Sequence, residues 1–246
     1  MGCVLGVFCL YVLLSVVRRS FTNTDPSGHY RLWVNGIHHG DISLNNLMYS
    51  VSPTGKVEGV LNDYDLASWA KFPTTNSDRT GTVPFMALEL LRGGLDRQIP
   101  RLYRHDAESF VWVLTYLTAI TIEYKDHSVK IFRPPNFDPW FKDDFRSHHA
   151  MKYALDSGYD RLHKIPGHHK QYATTIRMLI AYWVDFDSGL MDSEDAGSVE
   201  PEIDNPEGAL ERFINRVEME LGADAQKGFT KVGVLLLDAI RTPRVV

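Results

Sequence analysis

Between residues 37 and 110, this chain of 246 residues strings together side chains able to do acid–base and metal chemistry. His39-Gly40-Asp41 comes first, then Asn46, then Asp63-Tyr64-Asp65. Arg79-Thr80-Gly81-Thr82, Phe85-Met86-Ala87-Leu88-Glu89 and Arg104-His105-Asp106 follow. A carboxylate can orient or accept a proton, and carboxylate and amide oxygens are the hard donors that Mg²⁺ prefers. Taken singly, each residue reads more simply as a cap or a turn, because Asp, Asn and Thr readily hydrogen-bond to nearby backbone. Their order and spacing together set them apart. Two other groups carry less. His148, His149, His163, His168 and His169 match no zinc spacing and read as surface residues. Asp185-Phe186-Asp187 lies far from Asn46, runs into an acidic stretch, and reads as a helix-end turn.

The elements that must position these residues follow from periodicity and punctuation. His29 to Ile37 reads as the end of an amphipathic helix stopped by Asn35-Gly36. A polar loop from His39 to Asn46 comes next. Leu47 to Val51 and Val57 to Leu61 are short apolar runs separated by Pro53-Thr54-Gly55, the pattern of a β-hairpin. Ala70 to Gly81 is loop-like, and Ala87 to Leu91 is a short helix closed by Gly93-Gly94. Asp106 to Thr121 is apolar nearly all round, so it predicts a helix buried in the middle of the fold. Further helices are expected over Phe141 to Leu155, Gln171 to Trp183, Glu207 to Leu221 and Val232 to Ile240. The fold class is mainly α with a small β-hairpin.

Composition sets the outer bounds. With 44% hydrophobic and 23% charged residues the chain is an ordinary globular one. Its net charge of −5 is too mild to argue for nucleic acid, so no nucleic-acid partner is expected. Asp185 to Glu207 carries acidic residues without a Lys or Arg among them, and is expected to be a solvated loop. Cys3 and Cys9 are the only cysteines, so no disulfide scaffold forms and an intracellular location, cytoplasmic or nuclear, is expected. The apolar run Cys3 to Val17 is shorter than the roughly 18–20 residues of a membrane-spanning helix. No basic residue precedes it, as a secretory signal would want. Gly6 stands where a myristoylation pattern wants Ser or Thr. A buried helix is the preferred reading of this run, ahead of membrane contact through residues 3–17 and of a signal peptide.

The ordered series HGDISLNNLM, NDYDLA, RTGTVPFMALELL and RHDAESFVWVL resembles the fungal-type protein kinase family, within the protein kinase-like superfamily. The resemblance covers roughly residues 25 to 122. It implies residues 1–24 as an apolar N-terminal segment and 25–246 as a protein kinase-like C-lobe carrying the acidic loop 185–207. By resemblance, Asp41 matches the catalytic Asp that orients or deprotonates the acceptor hydroxyl. Asn46 and Asp63 match the residues that hold Mg²⁺ on ATP, and Tyr64 takes the place of the usual Phe beside the metal ligand. Glu89 matches the Glu that anchors the activation segment. Asp106 matches the buried-helix Asp that hydrogen-bonds the catalytic-loop backbone. Gly40 stands where an Arg is common, Ser43 where Ser/Thr kinases carry Lys, Asp65 where a Gly is usual, and Leu88 where a Pro is usual.

The implied activity is ATP-dependent phosphorylation of protein Ser or Thr, with a protein substrate or protein partner. The phosphate-covering Gly-rich loop and the Lys on the phosphates are missing from the sequence. No two glycines are spaced G-x-G, and the first Lys and Glu are Lys56 and Glu58, after the catalytic Asp. The expectation is therefore a C-lobe with the N-lobe absent, holding ATP from one side, with weak nucleotide binding and impaired transfer. Two rivals stand beside it: a non-catalytic, pseudokinase-like protein-binding module, and a small-molecule phosphotransferase, which also uses His-Gly-Asp.

Overall fold

The computed structural model describes residues 29–51, 53, 57–70, 80–92, 99–119, 121–125, 128–132, 140, 144–157 and 170–188, with Pro206 and Gly208 beyond them. The run 3–17 and the helices expected over 207–221 and 232–240 lie outside the described residues, apart from Gly208. In chain order the elements begin with α1 (His29–Val34), β1 (Ile37–His38), β2 (Leu47–Val51), β3 (Val57–Leu61) and β4 (Ser68–Trp69). A short 3₁₀ turn (Val83–Phe85) leads to α2 (Leu88–Arg92) and the long α3 (Tyr103–Ala119). After these come β5 (Thr121–Lys125), β6 (Ser128–Phe132), α4 (Phe145–Ser157) and α5 (Lys170–Ser188).

The architecture is mainly helical, with small antiparallel strand pairs. The hairpin β2–β3 has the expected bounds, with Leu47 opposite Leu61 and Val51 opposite Val57. Beyond it, β1 pairs with β4 in the same antiparallel sense, with Ile37 opposite Trp69 and His38 opposite Ser68. The two ladders form one long hairpin interrupted in the middle. The interruption holds residues 39–46 on one arm and 62–67 on the other. Gly36, at φ +83, lets the chain turn out of α1, and its carbonyl accepts the Ala70 amide at 2.8 Å across the outer ladder.

α3 is the core, as its all-round apolar sequence predicts. Phe110, Val111, Trp112, Val113 and Leu114 are all buried, and each large side chain of this kind contributes about 1.5–3 kcal/mol on burial. α5 presents Ile176, Leu179, Ile180, Trp183 and Val184 to the core, the i, i+3, i+4, i+7 stripe of an amphipathic helix. Trp140 fills the remaining gap, stacked on Tyr116 with ring centroids 5.9 Å apart.

Several expectations are corrected. The buried helix ends at Ala119 rather than Thr121, because Thr121 opens a second hairpin, β5–β6, with Thr121 opposite Phe132. The helix expected from Phe141 starts at Phe145. Asp144 caps it, its carboxylate accepting the amides of Arg146 and Ser147. α5 runs on to Ser188, so Asp185 to Ser188 belong to its last turn and not to an acidic loop. His148 is fully buried and not a surface residue, because α4 turns His148, Lys152 and Leu155 inward on one face. His149 is only partly exposed, its ring at 4.8 Å from that of Tyr153. His163, His168 and His169 lie outside the described residues. No helix among the described residues is long and apolar enough to cross a membrane.

Candidate functional site

The interruption of the long hairpin is where the chemistry-bearing residues gather. On the first arm, Gly40 takes φ +76 and turns the backbone so that Asp41 follows His39 closely. His39 is buried, its Nε2–H donating to the Asn62 carbonyl at 2.9 Å and its Nδ1 accepting the Asp41 amide at 3.2 Å. Those two bonds fix one neutral tautomer, and burial lowers its pKa, against the opposing pull of the Asn62 carbonyl. The ring therefore acts as a strut that joins the two arms.

Asp41 is held on both carboxylate oxygens. Oδ1 accepts the amide and the hydroxyl of Thr82, each at 2.7 Å. Oδ2 accepts the Asn46 side-chain amide at 3.1 Å, and the same NH₂ bonds the Asp41 carbonyl at 2.9 Å. With its NH₂ committed, buried Asn46 keeps its side-chain oxygen without a protein partner among the described residues. Asp63, on the opposite arm, is exposed and has no hydrogen-bond partner among the described residues. It is also the one non-glycine residue described at positive φ, +63. Asp tolerates this conformation better than most residues, but it is still a strained one. Its arm is fixed at either side: the Asn62 amide donates to the Asn46 carbonyl at 2.8 Å, and Tyr64 meets the His39 ring edge-on at 4.6 Å.

Asp41 and Asn46 are thus brought together by direct bonds, while Asp63 lies on the second arm and is bonded to neither among the described residues. Two oxygen donors, one an amide and one a carboxylate, suit an ion such as Mg²⁺, which keeps several waters and shares phosphate oxygens with its protein ligands. Among the described residues no cluster of three or more His, Cys, Asp or Glu could hold a metal ion.

Behind this front lies a charged network that sequence reasoning described only in part. Asp106 is fully buried and makes no direct bond to the amides of residues 39–46 among the described residues. It accepts instead from His29 Nε2 at 2.9 Å and from Arg101 at 2.7 Å. Burial alone would raise this carboxyl, but the Arg101 guanidinium and the His29 hydrogen bond outweigh it and hold the group well below the usual carboxylate range. The link to the loop runs through Arg101, which also donates to the Gly40 carbonyl at 2.7 Å and the Thr80 carbonyl at 3.2 Å. Arg101 lies outside every motif, five residues before Asp106, so no local pattern marks it.

Glu89 accepts from His105 Nε2 at 2.7 Å and from Arg104. The His105 hydrogen bond pulls its carboxyl down to about 2, while burial pulls His105 down to about 4. Asp187, the tripeptide member in α5, is held by Arg92 and Tyr153, each at 2.6 Å, which pins α2, α4 and α5 together.

Residues 26–118 match the family model described as fungal protein kinase. Over this stretch the chain is similar to the fungal protein kinase family. The matched window contains every residue of the interrupted hairpin, Thr82, Arg101 and Asp106, and stops at the end of α3. The β5–β6 hairpin, α4 and α5 lie beyond it. Neither the curated proteins nor the solved structures hold a match to the chain.

Proposed function

We propose that this chain carries the C-lobe half of a protein kinase site, and that its chemistry is phosphoryl transfer from ATP to a protein Ser or Thr. Asp41 orients the acceptor hydroxyl and takes up its proton. Asn46, through its side-chain oxygen, and Asp63 hold Mg²⁺, which supplies charge neutralisation on the phosphates. The observation that carries this reading is the pairing of Asp41 with Asn46, which leaves the Asn46 oxygen without a partner among the described residues, with an exposed Asp63 at positive φ on the other arm.

Phosphoryl transfer leaves little covalent work to the protein, so positioning decides the rate. The 246-residue chain has no G-x-G and no Lys before Lys56, so by itself it grips ATP from one side. Transfer by this chain alone is therefore slow and nucleotide affinity weak.

The test is label transfer from γ-labelled ATP with Mg²⁺ to a generic protein acceptor, using the purified chain and the Asp41→Asn variant. Paramagnetic broadening by Mn²⁺·ATP around Asn46 and Asp63 is followed in parallel, since it detects weak binding. Slow transfer lost in Asp41→Asn, with broadening lost in Asp63→Asn, is the expected outcome. Absence of both signals overturns the reading in favour of a non-catalytic binding module. Phosphate appearing on a sugar or amino alcohol and not on protein makes the chain a small-molecule phosphotransferase.

A further inference from the structure

The Thr80–Thr82 segment reaches Asp41 from more than 35 residues away, and something must hold it there. Gly81 lies at φ +131, and a Cβ at this position would come within 2.9 Å of the Gly40 carbonyl oxygen. The segment therefore sits directly on the catalytic loop, backbone against backbone. Both carbonyls next to this contact, those of Gly40 and Thr80, point to one guanidinium, that of Arg101. The third acceptor of the same group is Asp106, buried at the start of α3 and itself fixed by His29. A planar fork with several donors can satisfy three acceptors at once, which the single ammonium of Lys cannot do in the same geometry. At Gly40 a Cβ would make only ordinary contacts, 3.9 Å from Arg101 Cζ and 3.5 Å from Thr80 Oγ1, so its φ of +76 and not space favours glycine there.

We propose that Arg101 is a positioning residue of this site, clamping the Thr80–Thr82 segment to the catalytic loop so that Thr82 delivers both donors to Asp41. In catalytic terms this rests on the kinase reading given above. The clamp itself is a matter of geometry, and its central test needs no phosphate transfer.

Amide hydrogen exchange of the full chain is compared between the wild type, Arg101→Lys and Arg101→Ala. Arg101→Lys keeps a positive charge near Asp106, and so keeps α3 folded, but loses the fork. Exchange of the Thr82 amide should rise about tenfold or more in Arg101→Lys, as two carbonyl bonds are lost, with α3 and α5 unchanged. Guanidinium at low millimolar concentration should restore protection in Arg101→Ala, while equal NaCl does not. Where transfer is measurable, Arg101→Lys should lower its rate and leave Mn²⁺·ATP broadening unchanged. Unaltered Thr82 exchange in folded Arg101→Lys overturns the proposal. A uniform rise across α3 and α5 overturns it too, since Arg101 would then be a stability residue only. Absence of transfer in the wild type, with the exchange results as expected, would sink the kinase reading and leave the clamp standing.

Discussion

Thr82 donates its backbone amide and its side-chain hydroxyl to the same oxygen of Asp41, each at 2.7 Å. The other Asp41 oxygen is bonded by Asn46, so the carboxylate plane is fixed from both sides. Thr82→Val removes one donor from a charged acceptor and should lower stability by about 1–2 kcal/mol, whereas Thr82→Ser should cost less than about 0.5 kcal/mol. Urea denaturation of the two variants measures the difference. Equal losses would mean that the hydroxyl bond contributes nothing and the methyl group everything.

Two glycines make a graded comparison. Gly81→Ala combines φ +131 with a Cβ at 2.9 Å from the Gly40 oxygen, and should cost about 2–3 kcal/mol. Gly36→Ala, at φ +83 with the Ala70 side chain 3.3 Å away, should cost about 1–2 kcal/mol. Thermal melts of the two variants rank them, and a larger loss at Gly36 would contradict the close approach of the Thr80–Thr82 segment to Gly40.

Lys152 and Glu108 are both fully buried on facing helices. Glu108 Oε1 accepts the Leu88 amide and the Trp112 indole N–H, each at 2.8 Å. Lys152 donates to the Met86 carbonyl and lies 4.4 Å from the centroid of the Trp112 ring. Burial pushes the Glu108 carboxyl up and the Lys152 amine down. Removing one partner strands the other, so Lys152→Met should cost about 3 kcal/mol. The double variant Lys152→Met/Glu108→Gln should recover about 1–3 kcal/mol of the summed single losses, since Gln still accepts from Leu88 and Trp112. Additive losses in a double-mutant cycle would rule out the coupling.

Acid stability follows from Glu89 and His105. The folded pKa of His105 is pushed down to about 4 from 6.5, and that of Glu89 to about 2 from 4.5. As pH falls from 6.5 towards 4, the unfolded chain takes up a proton at His105 that the folded chain refuses. From 4.5 towards 2 the same holds at Glu89. Both groups therefore favour the folded state above these windows and lose that contribution on acidification. Denaturation midpoints between pH 8 and pH 4 should fall, and His105→Gln should flatten the decline between 6.5 and 4. A midpoint insensitive to pH across that interval in the wild type would refute the assignment.

How much of this could be read from the sequence depends on where the information lies. The β2–β3 hairpin is legible to the residue, because Pro53-Thr54-Gly55 breaks two apolar runs. α3 is legible because it is apolar on every side. β5–β6 is not, since its strands follow the buried helix without a Pro or Gly to mark the change of period. The inward face of α4 is hidden for a different reason: His148 and Lys152 occupy core positions, so a hydrophobic pattern points the wrong way. In the site, Asp41, Asn46 and Asp63 stand out by order and spacing within a short stretch. Thr82 and Arg101 reach it through tertiary contacts with no periodic signature, and the partners of Asp106 come from residues 29 and 101.

The interrupted hairpin has a mechanical consequence. Its ladders close at both ends, Ile37 on Trp69 outside and Leu47 on Leu61 inside, so the segments bearing Asp41 and Asp63 form a frame under fixed span. The segments that carry Asp41 and Asp63 cannot drift apart without opening a ladder. On the proposed reading, a divalent ion would meet two arms already braced by the chain, and would not have to assemble its own seat.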